Sequence, residues 1–363
     1  MSLVILIVPA LSSRDAIGHD VIESARIIEE MGHQPVLATA TNFLTDREVL
    51  TIPKANKLLQ DPKNILIYHH GIGWPVGIST ILEAKCQRVI TYHNVTPSHF
   101  FVSYSPEISN ACELGRSELR QMLAKDNVLY IGDSEYNSQE LLEMGAPADR
   151  VVTVPPFHVV DHLLQSASDP KVAEKYGDGS VNILCVGRLA PNKGHTMLIE
   201  AFAAYYHLYN KKSRLILIGK EDNYLLDYSK MLRNRVSDLN VVDQVVFAGG
   251  VSEEGLKSHY ELADIFMITS EHEGFCVPLV EAMGFRKPII ALGSSAIPGT
   301  LGGTGIVWDE FDPILFAESI NTVITQPSIK SMLQERGHKR YESVFSGHQI
   351  GVRFKEVMSR ILK

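Results

Sequence analysis

Short, uninterrupted apolar runs alternate along the chain with longer segments of helical periodicity. Residues 3–8 read LVILIV. A run that is apolar at every position predicts a central strand of a parallel sheet, because both faces of such a strand are covered. In the first part of the chain the predicted strands are residues 3–8, 35–38, 64–68, 88–92, 128–132 and 150–154.

Helices are predicted between these strands. Asp20 is suited to cap a helix over residues 20–31, after a polar loop over residues 12–19, and Ser134 is suited to cap a helix over residues 136–144. Two more helices are predicted at residues 78–84 and 101–124, the second with a break near Pro106. Because strands and helices alternate, this part of the chain is predicted to be one parallel α/β domain.

A second series of the same kind follows a polar stretch over residues 160–180, which we interpret as the connection between domains, with one short helix. Its strands are predicted at residues 181–186, 214–218, 245–247, 265–268, 288–292 and 305–308. Its helices are predicted at residues 195–208, 226–239, 313–323, 329–344 and 350–362, with a further helix capped by Ser252. The chain is therefore predicted to fold as two doubly wound α/β domains.

Composition narrows the class of protein. The chain has 363 residues, enough for two cores, and a net charge of −8, which argues against a nucleic-acid partner. Its four cysteines include no C-x-x-C pair, a usage that fits a reducing cytosol. The apolar residues 3–11 are too few to span a bilayer, so at most peripheral membrane association is expected. Nothing in the sequence predicts an oligomeric state.

Two cations lie at the carboxyl edge of the second predicted sheet. Gly187 and Arg188 end one strand, and Lys193 stands just before the next helix. Arginine can bind a diphosphate in a bidentate way and lysine as a point charge, although a solvated surface loop is the plainer interpretation of these residues alone. Lys220 follows the next strand of the same sheet.

Residues 270–288 read SEHEGFCVPLVEAMGFRKP, at the end of another strand of this sheet. Pro278 suits the first turn of a helix, and Glu281 is then expected in that first turn. A helix N-terminus attracts anions. Glu273 and Glu281 could accept hydrogen bonds from the hydroxyl groups of a sugar or a ribose. The alternative is an acidic loop before an ordinary helix. The cations Arg188 and Lys193 on the same edge of the sheet favour a binding site instead.

The motifs GRLAPNKG and EGFCVPLVEAMGFRKP resemble those of retaining glycosyltransferases of family 4, which have the GT-B fold. The resemblance covers the second domain closely and reaches the first through TYHNVTP. It implies two Rossmann-like domains facing each other across a cleft, with the donor on the second and the acceptor on the first. We expect the first domain at residues 1–160 with the C-terminal helix 345–363, and the second at residues 175–344.

The family's residue roles carry over onto matching positions. The resemblance implies that Arg188 and Lys193 neutralise the donor diphosphate and that Glu273 holds the sugar. It also implies that Glu281 accepts hydrogen bonds from the ribose hydroxyls and that His93 reaches the transferred sugar. Lys220 is expected near the base or diphosphate. Further contacts, largely through the backbone, are implied for Gly18 in the first loop, Gly187, Gly249 to Val251, Gly274, Phe275, Cys276, Val277 and Leu279. The first loop lacks the family's frequent paired glycines.

The mechanism implied needs neither a metal nor a cofactor. The chain has no Asp-x-Asp, the usual metal-chelating diphosphate motif, and no G-x-G-x-x-G dinucleotide motif. In retaining relatives the leaving phosphate oxygen takes the acceptor proton on one face of an oxocarbenium-like sugar. A two-carboxylate glycosidase mechanism for Glu273 and Glu281 is rejected, because the resemblance gives them different contacts.

Several histidines and a tryptophan remain open. His158 and His162 have metal-ligand spacing only if both are helical, and no metal site is expected. His69 and His70 end a strand and should open on the cleft. A contact with the acceptor substrate and the absence of one are equally favoured. Trp74 could stack on a sugar ring or pack against its own domain.

The predicted function is transfer of a sugar, in the cytoplasm or at the inner face of the membrane, from a nucleotide diphosphate sugar to a glycan or lipid-linked glycan. UDP-glucose is the first choice of donor and GDP-mannose the second. The alternatives are a related epimerase or phosphorylase, and an inactive sugar-binding relative.

Overall fold

The computed structural model describes residues 2–13 and 15–362. The chain divides into two compact units, each built around a parallel sheet of its own. The first unit comprises Met1–His99, Glu107–Val159 and Gly347–Lys363, and the second comprises Phe100–Pro106 and Val160–Ser346.

The first sheet has seven parallel strands in the order β3-β2-β1-β4-β5-β6-β7. Its strands are β1 (Leu3–Leu11), β2 (Gln34–Asn42), β3 (Leu50–Thr51), β4 (Ile65–His70), β5 (Gln87–Tyr92), β6 (Val128–Gly132) and β7 (Val151–Thr153). Val4 to Ile7 of β1 are fully buried, since β2 and β4 flank this strand and helices cover its faces. The prediction of a central strand at residues 3–8 is confirmed.

The helices of this unit are α1 (Ala16–Glu30), α2 (Ile52–Leu58), α3 (Pro75–Glu83), α4 (Pro106–Leu123) and α5 (Glu135–Glu143), with short 3₁₀ turns at Ser98–Phe100 and Ala148–Arg150. Ser134 caps α5 as predicted, accepting from the N–H of Asn137 at 3.1 Å. Strand β3 and helix α2 were not predicted, because residues 50–58 carry neither a long apolar run nor a cap signal.

The start of α1 was predicted wrongly. Asp15 is its N-cap, accepting from the N–H of Gly18 at 2.8 Å, so the helix begins well before Asp20. Asp20 is instead a buried residue inside the helix. Gly18 therefore lies in the first turn of α1 and not in a loop, and its N–H already has a partner. A Cβ at Gly18 would lie 1.8 Å from the carbonyl oxygen of Ser12, so close backbone packing requires glycine here.

The second sheet has six parallel strands in the order β10-β9-β8-β11-β12-β13. They are β8 (Val181–Val186), β9 (Ser213–Ile218), β10 (Val245–Gly249), β11 (Ile265–Ile268), β12 (Ile289–Leu292) and β13 (Ile306–Trp308). All six predicted strands are present. Strands β8 and β11 are adjacent, and this pairing brings the loops after them to one edge of the sheet.

The second unit contains helices α6 (Val160–Gln165), α7 (Pro170–Tyr176), α8 (His195–Leu208), α9 (Leu226–Asp238), α10 (Glu253–Leu262), α11 (Val277–Gly284), α12 (Ile297–Leu301), α13 (Pro313–Thr325) and α14 (Pro327–Arg340), followed by a π-helical turn at Tyr341–Phe345. Ser252 caps α10 as predicted, accepting from the N–H of Gly255 at 3.1 Å. Residues 160–180 hold two helices where one was predicted, because Asp169 caps a second one.

The last helix, α15 (Gly347–Ser359), packs on the first unit. The ring of Phe354 lies 5.6 Å from that of Phe157, centroid to centroid, and Lys355 pairs with Glu30 of α1 at 3.0 Å. Burial of its apolar face fixes this helix to the first sheet's core. Among the described residues, no helix has both the length and the apolar character needed to cross a membrane.

Candidate functional site

The carboxyl edge of the second sheet brings Lys193 and Glu273 together. Lys193 ends a short 3₁₀ turn, Pro191–Lys193, after β8, and Glu273 follows β11. The Lys193 Nζ donates to both carboxylate oxygens of Glu273, at 2.7 and 2.8 Å. The Glu273 side chain is only 7% exposed, so this is a largely buried ion pair between residues far apart in sequence.

Hydroxyl groups hold Glu273 in place. Ser270 donates to Oε1 of Glu273 at 2.8 Å, and the hydroxyl of Ser295 accepts from the Glu273 N–H at 2.7 Å. Burial lowers the pKa of Lys193, but the charge and hydrogen bonds of Glu273 outweigh this, and the pKa lies above its usual value. Lys193 is therefore a fixed cation at this edge.

Gly194 allows this loop to approach β11. Its φ is +63°, and a Cβ there would lie 2.1 Å from the carbonyl oxygen of Thr269. The Thr269 hydroxyl donates to the carbonyl of Gly194 at 2.9 Å. The K-G pair thus sets the position of Lys193 beside Glu273, because no other residue fits at Gly194.

Arg188 and Lys220 are more exposed than Lys193. The Arg188 side chain is 55% exposed and lies 3.7 Å from Asp222, while Gly187 joins its loop to β9 through an N–H donated to Ile218 at 2.8 Å. The charge of Arg188 opposes, but does not cancel, the rise in the pKa of Lys193 that Glu273 causes.

The side chain of Lys220 lies along the segment that follows β10. A Cβ at Gly250 would lie 2.9 Å from Cγ of Lys220. Lys220 is itself exposed. Val251, which follows Gly250, is half-buried. Gly249 has φ +67°, so the chain turns here as it leaves the sheet. The structure thus brings Lys220, expected near the base or diphosphate, next to the segment from Gly249 to Val251, expected at the base.

The loop from Glu273 to Val277 turns its side chains inward. The Phe275 ring is buried against Phe345, with centroids 5.5 Å apart, so only its backbone is available to a ligand. Cys276 is buried with φ +74° and is the N-cap of α11. Helix α11 begins at Val277, one residue from the prediction. Gly274 leads into this turn.

The predicted contacts at the start of α11 are not equally available. The Leu279 N–H donates to the carbonyl of Cys276 at 3.1 Å, and the Leu279 side chain is fully buried. An amide that already has a backbone partner is a weaker donor to a phosphate. Val277 lies at the first helical position.

Glu281 is the fifth residue of α11, so it lies just past the first turn, where it was expected. The buried Tyr260 hydroxyl donates to its Oε2 at 2.6 Å. Burial raises the pKa of Glu281, and this hydrogen bond offsets the rise only in part. The pKa of this carboxyl therefore lies above its ordinary value, whereas the first-turn placement implied a helix dipole that lowers it. Sequence reasoning missed Tyr260, which stands in α10 without any motif of its own.

In the first domain, His93 follows β5 and both of its ring nitrogens have partners. Its Nδ1 lies 2.7 Å from Oδ2 of Asp133, and its Nε2 lies 2.9 Å from Nδ1 of His69. Asp20 lies 3.4 Å from His69. These four buried or nearly buried residues are called the His93 cluster. Sequence reasoning took Asp20 for a helix cap and did not single out Asp133, because the two residues lie on different elements.

His69 and His70 do not open on solvent, contrary to the prediction. They are 1% and 0% exposed, and His70 Nε2 lies 2.9 Å from the carbonyl oxygen of Gly115. Burial lowers the pKa of His70 to about 4. Burial also lowers the pKa of His69, so both residues are core histidines for which the neutral form is favoured.

Trp74 follows the packing alternative. Its ring stacks on Tyr68, with centroids 6.2 Å apart, and its backbone N–H donates to the Glu118 carboxylate at 2.7 Å. His158 precedes α6 while His162 lies inside it, so the two do not share a helix face. His162 is exposed and pairs with Glu253 at 3.2 Å.

The two Rossmann-like units, each with a parallel sheet of its own, define the class of GT-B proteins. Sucrose-phosphate synthase from Thermosynechococcus elongatus superposes with a TM-score of 0.78 at 16% identity, over 99% of each chain. HepE from Anabaena, solved with UDP and glucose, gives 0.76 at 17% identity, over 99% of this chain and 100% of its own. Such low identities establish the fold alone.

Residues 169–340 match the family described as glycosyl transferases group 1. The GDP-mannose-dependent α-(1-6)-phosphatidylinositol monomannoside mannosyltransferase of Mycolicibacterium smegmatis is 26% identical over 240 residues, or 62% of this chain and 60% of that protein. Mannosylfructose-phosphate synthase of Agrobacterium fabrum is 30% identical over 129 residues, or 35% of this chain. The chain spans 28 to 60% of the length of these two relatives.

Proposed function

We propose that the protein is a retaining glycosyltransferase. It transfers a sugar from a nucleotide diphosphate sugar to a glycan or lipid-linked glycan, in the cytoplasm and at most peripherally at the membrane. One observation carries this proposal: the edge of the second sheet holds the fixed cation Lys193 against Glu273, beside Arg188 and the start of α11. The family match supports it.

Lys193 and Arg188 are the proposed groups for the donor diphosphate. Charge developing on the leaving phosphate is stabilised best by cations that are already in place, because they need no reorganisation during the reaction. Lys193 is in place through Glu273, while the exposed Arg188 can close on the ligand. The backbone of Gly274, Phe275 and Cys276 then faces the sugar, and Val277 adds a helix-start N–H.

His93 is the proposed sugar contact from the first domain. A sugar hydroxyl at its Nε2 would replace the hydrogen bond to His69, while Asp133 keeps hold of Nδ1. Gly18 is proposed only to shape the backbone near residue 12, because its own N–H is committed to Asp15.

The carboxylates support same-face transfer without a protein nucleophile. Glu273 is neutralised by Lys193, and Glu281 is held by Tyr260. A double-displacement glycosidase needs one free carboxylate as nucleophile and one protonated carboxyl as acid about 5–5.5 Å away. Neither glutamate fits that division of roles, so the leaving phosphate oxygen is proposed as the base for the acceptor.

UDP-glucose is the first proposed donor and GDP-mannose the second. A GT-B neighbour has been solved with UDP-glucose, and a curated relative is described as GDP-mannose-dependent. A thermal-shift panel of UDP-, GDP- and ADP-sugars tests this choice. A donor at a hundred times its Kd adds about 2.7 kcal/mol of stability, and a chain stabilised by none of the sugars contradicts the proposal.

Two alternatives remain distinguishable. An epimerase or phosphorylase would convert or phosphorolyse sugars without an acceptor glycan, and an inactive relative would bind donor without cleaving it. The intact set of Arg188, Lys193, Glu273 and Glu281 favours a working transferase. Measuring slow hydrolysis of the donor in the absence of acceptor separates the active from the inactive case.

A further inference from the structure

The His93 cluster places three ligand-type atoms around one point inside the first domain. Asp20 Oδ2 lies 3.4 Å from His69 Nδ1 and 3.9 Å from His93 Nε2, and the two nitrogens are 2.9 Å apart. The three residues come from α1, β4 and the loop after β5. Together they form a compact triangle of one oxygen and two nitrogens.

The size of this triangle suits a transition-metal ion. Zn²⁺ binds histidine nitrogen and carboxylate oxygen at about 2.0–2.2 Å, and tetrahedral geometry then sets its ligand atoms about 3.3 Å apart. The three observed separations lie on both sides of that value. We propose that Asp20, His69 and His93 form a binding site for Zn²⁺ or a similar divalent cation, with a fourth position left open.

Neighbouring groups already orient two of the ligands. Asp133 Oδ2 accepts from Nδ1–H of His93 at 2.7 Å, which leaves the lone pair of Nε2 for the ion. The N–H of Phe157 donates to Oδ1 of Asp20 at 2.7 Å, which leaves Oδ2. A carboxylate behind a metal-binding histidine is the usual arrangement of a zinc site. His69 Nδ1–H donates to His93 Nε2, so an ion on these two atoms replaces that hydrogen bond and moves the ring proton of His69 to its Nε2, which has no hydrogen-bond partner among the described residues.

Charge balance favours an ion in this place. Asp20 and Asp133 are both 4% exposed, and two buried carboxylates require compensating positive charge. One divalent cation compensates both while His69 and His93 remain neutral ligands. Without the ion, the same balance has to come from protons shared within the His93 cluster.

The site bears on the proposed function without depending on it. An ion on Nε2 of His93 occupies the atom that would otherwise contact the sugar, so the loaded chain is expected to transfer sugar more slowly. The ion is not required by the diphosphate site around Lys193, which lies in the other unit. Metal binding and sugar transfer can therefore fail separately.

Cobalt(II) is the probe, because its visible absorption reports the ligand set. Chelator-treated full-length protein is titrated with Co²⁺ and then with Zn²⁺ in competition. We expect one equivalent to bind, with a spectrum typical of nitrogen and oxygen ligands. Asp20→Asn and His69→Gln should abolish this spectrum. Asp133 is not a ligand but orients His93, so Asp133→Asn should weaken binding by about 10–100-fold.

His162→Gln is the matched control, since this histidine is exposed and also faces a carboxylate, Glu253. It should bind Co²⁺ as the unchanged protein does. Thermal unfolding with and without Zn²⁺ guards against misfolded variants: the unchanged protein should gain stability from Zn²⁺, and Asp133→Asn should gain less. Absence of stoichiometric binding to the unchanged protein overturns the proposal. So does a thiolate-to-cobalt band, or binding that survives both Asp20→Asn and His69→Gln.

Discussion

The hydroxyl of Tyr260 donates a 2.6 Å hydrogen bond to Oε2 of Glu281, and both side chains are buried. The Tyr260 ring is stacked on Phe285, with centroids 5.1 Å apart and planes 7° apart, so its hydroxyl is held rigidly. One oxygen of Glu281 is thus fixed by the protein, and the other is the candidate acceptor for ribose. This pair leads to two predictions about how the nucleotide is recognised.

Glu281→Gln should weaken the binding of the nucleoside diphosphate by about tenfold to a hundredfold, since a hydrogen bond to a charged group contributes roughly 1.5–3 kcal/mol. A 2′,3′-dideoxyribose analogue should bind weakly to the unchanged protein and be nearly indifferent to the substitution. Calorimetry on the four combinations gives the coupling energy. Equal weakening of both nucleotides would mean that Glu281 is not the ribose ligand.

Tyr260→Phe should also weaken the nucleotide, but less than Glu281→Gln does. The phenylalanine keeps the stacking on Phe285 and removes only the donor that orients the carboxylate. Because burial raises the pKa of Glu281 and Tyr260 opposes that rise, the variant should lose nucleotide affinity at a higher pH than the unchanged protein does as pH falls. Calorimetric titrations across pH 5–8 check this. A pH profile that Tyr260→Phe does not shift would contradict the positioning role.

Lys193→Ala should lower turnover by about 10²–10³, the usual cost of losing one preorganised charge donor. Initial rates at saturating donor measure this, and circular dichroism checks folding, because the substitution leaves the buried Glu273 without its partner. Lys212→Ala, an exposed lysine before β9, is the control and should transfer at the normal rate. Normal activity in Lys193→Ala would remove the diphosphate role.

Transfer should persist in EDTA. Lys193, Arg188 and the start of α11 supply the positive charge that a metal provides in Asp-x-Asp enzymes. If Zn²⁺ occupies the His93 cluster, chelation should raise the rate. Rates are compared before chelation, after it, and after adding back magnesium or manganese. Activity that is lost in EDTA and restored by either ion would refute this prediction.

The second domain was predictable because its candidate site residues stand in short contiguous motifs. The motifs around Lys193 and Glu273 stand in short stretches, each placed at a strand end by an apolar run and a following glycine or proline. Parallel strands then put those ends on one edge. What the sequence could not show is that Lys193 and Glu273 pair directly with each other.

The first domain was less predictable because its polar residues are brought together by tertiary packing. Asp20 seemed a suitable helix cap, but Asp15 takes that role and Asp20 turns inward to the N–H of Phe157. His69 and His70 end a strand, yet burial within the sheet hides them from ligands. No metal site was expected there, since its three candidate ligands share no motif and meet only in the folded chain.

His195 provides a test of the fold beside Lys193. It begins α8, is 1% exposed, and its Nδ1 lies 3.3 Å from the Tyr228 hydroxyl. Burial, and after it the charge of Lys193, lowers the pKa of His195 to about 3. The folded chain therefore keeps this histidine neutral, whereas the unfolded chain protonates it near its ordinary value.

The sign of the pH effect follows from this difference. A histidine whose folded-state pKa is depressed contributes stability above its unfolded pKa, near 6.5, and loses it as pH falls toward the folded value. Between pH 7.5 and 5 the loss from His195 should be about 2 kcal/mol, set by the unfolded pKa, because pH 5 lies well above the folded one. Replacing His195 by glutamine should remove that part of the pH dependence. Urea unfolding of both proteins at the two pH values measures it, with a substitution of the exposed His207 as control. If His195→Gln loses as much stability on acidification as the unchanged protein, His195 is not held neutral in the fold beside Lys193.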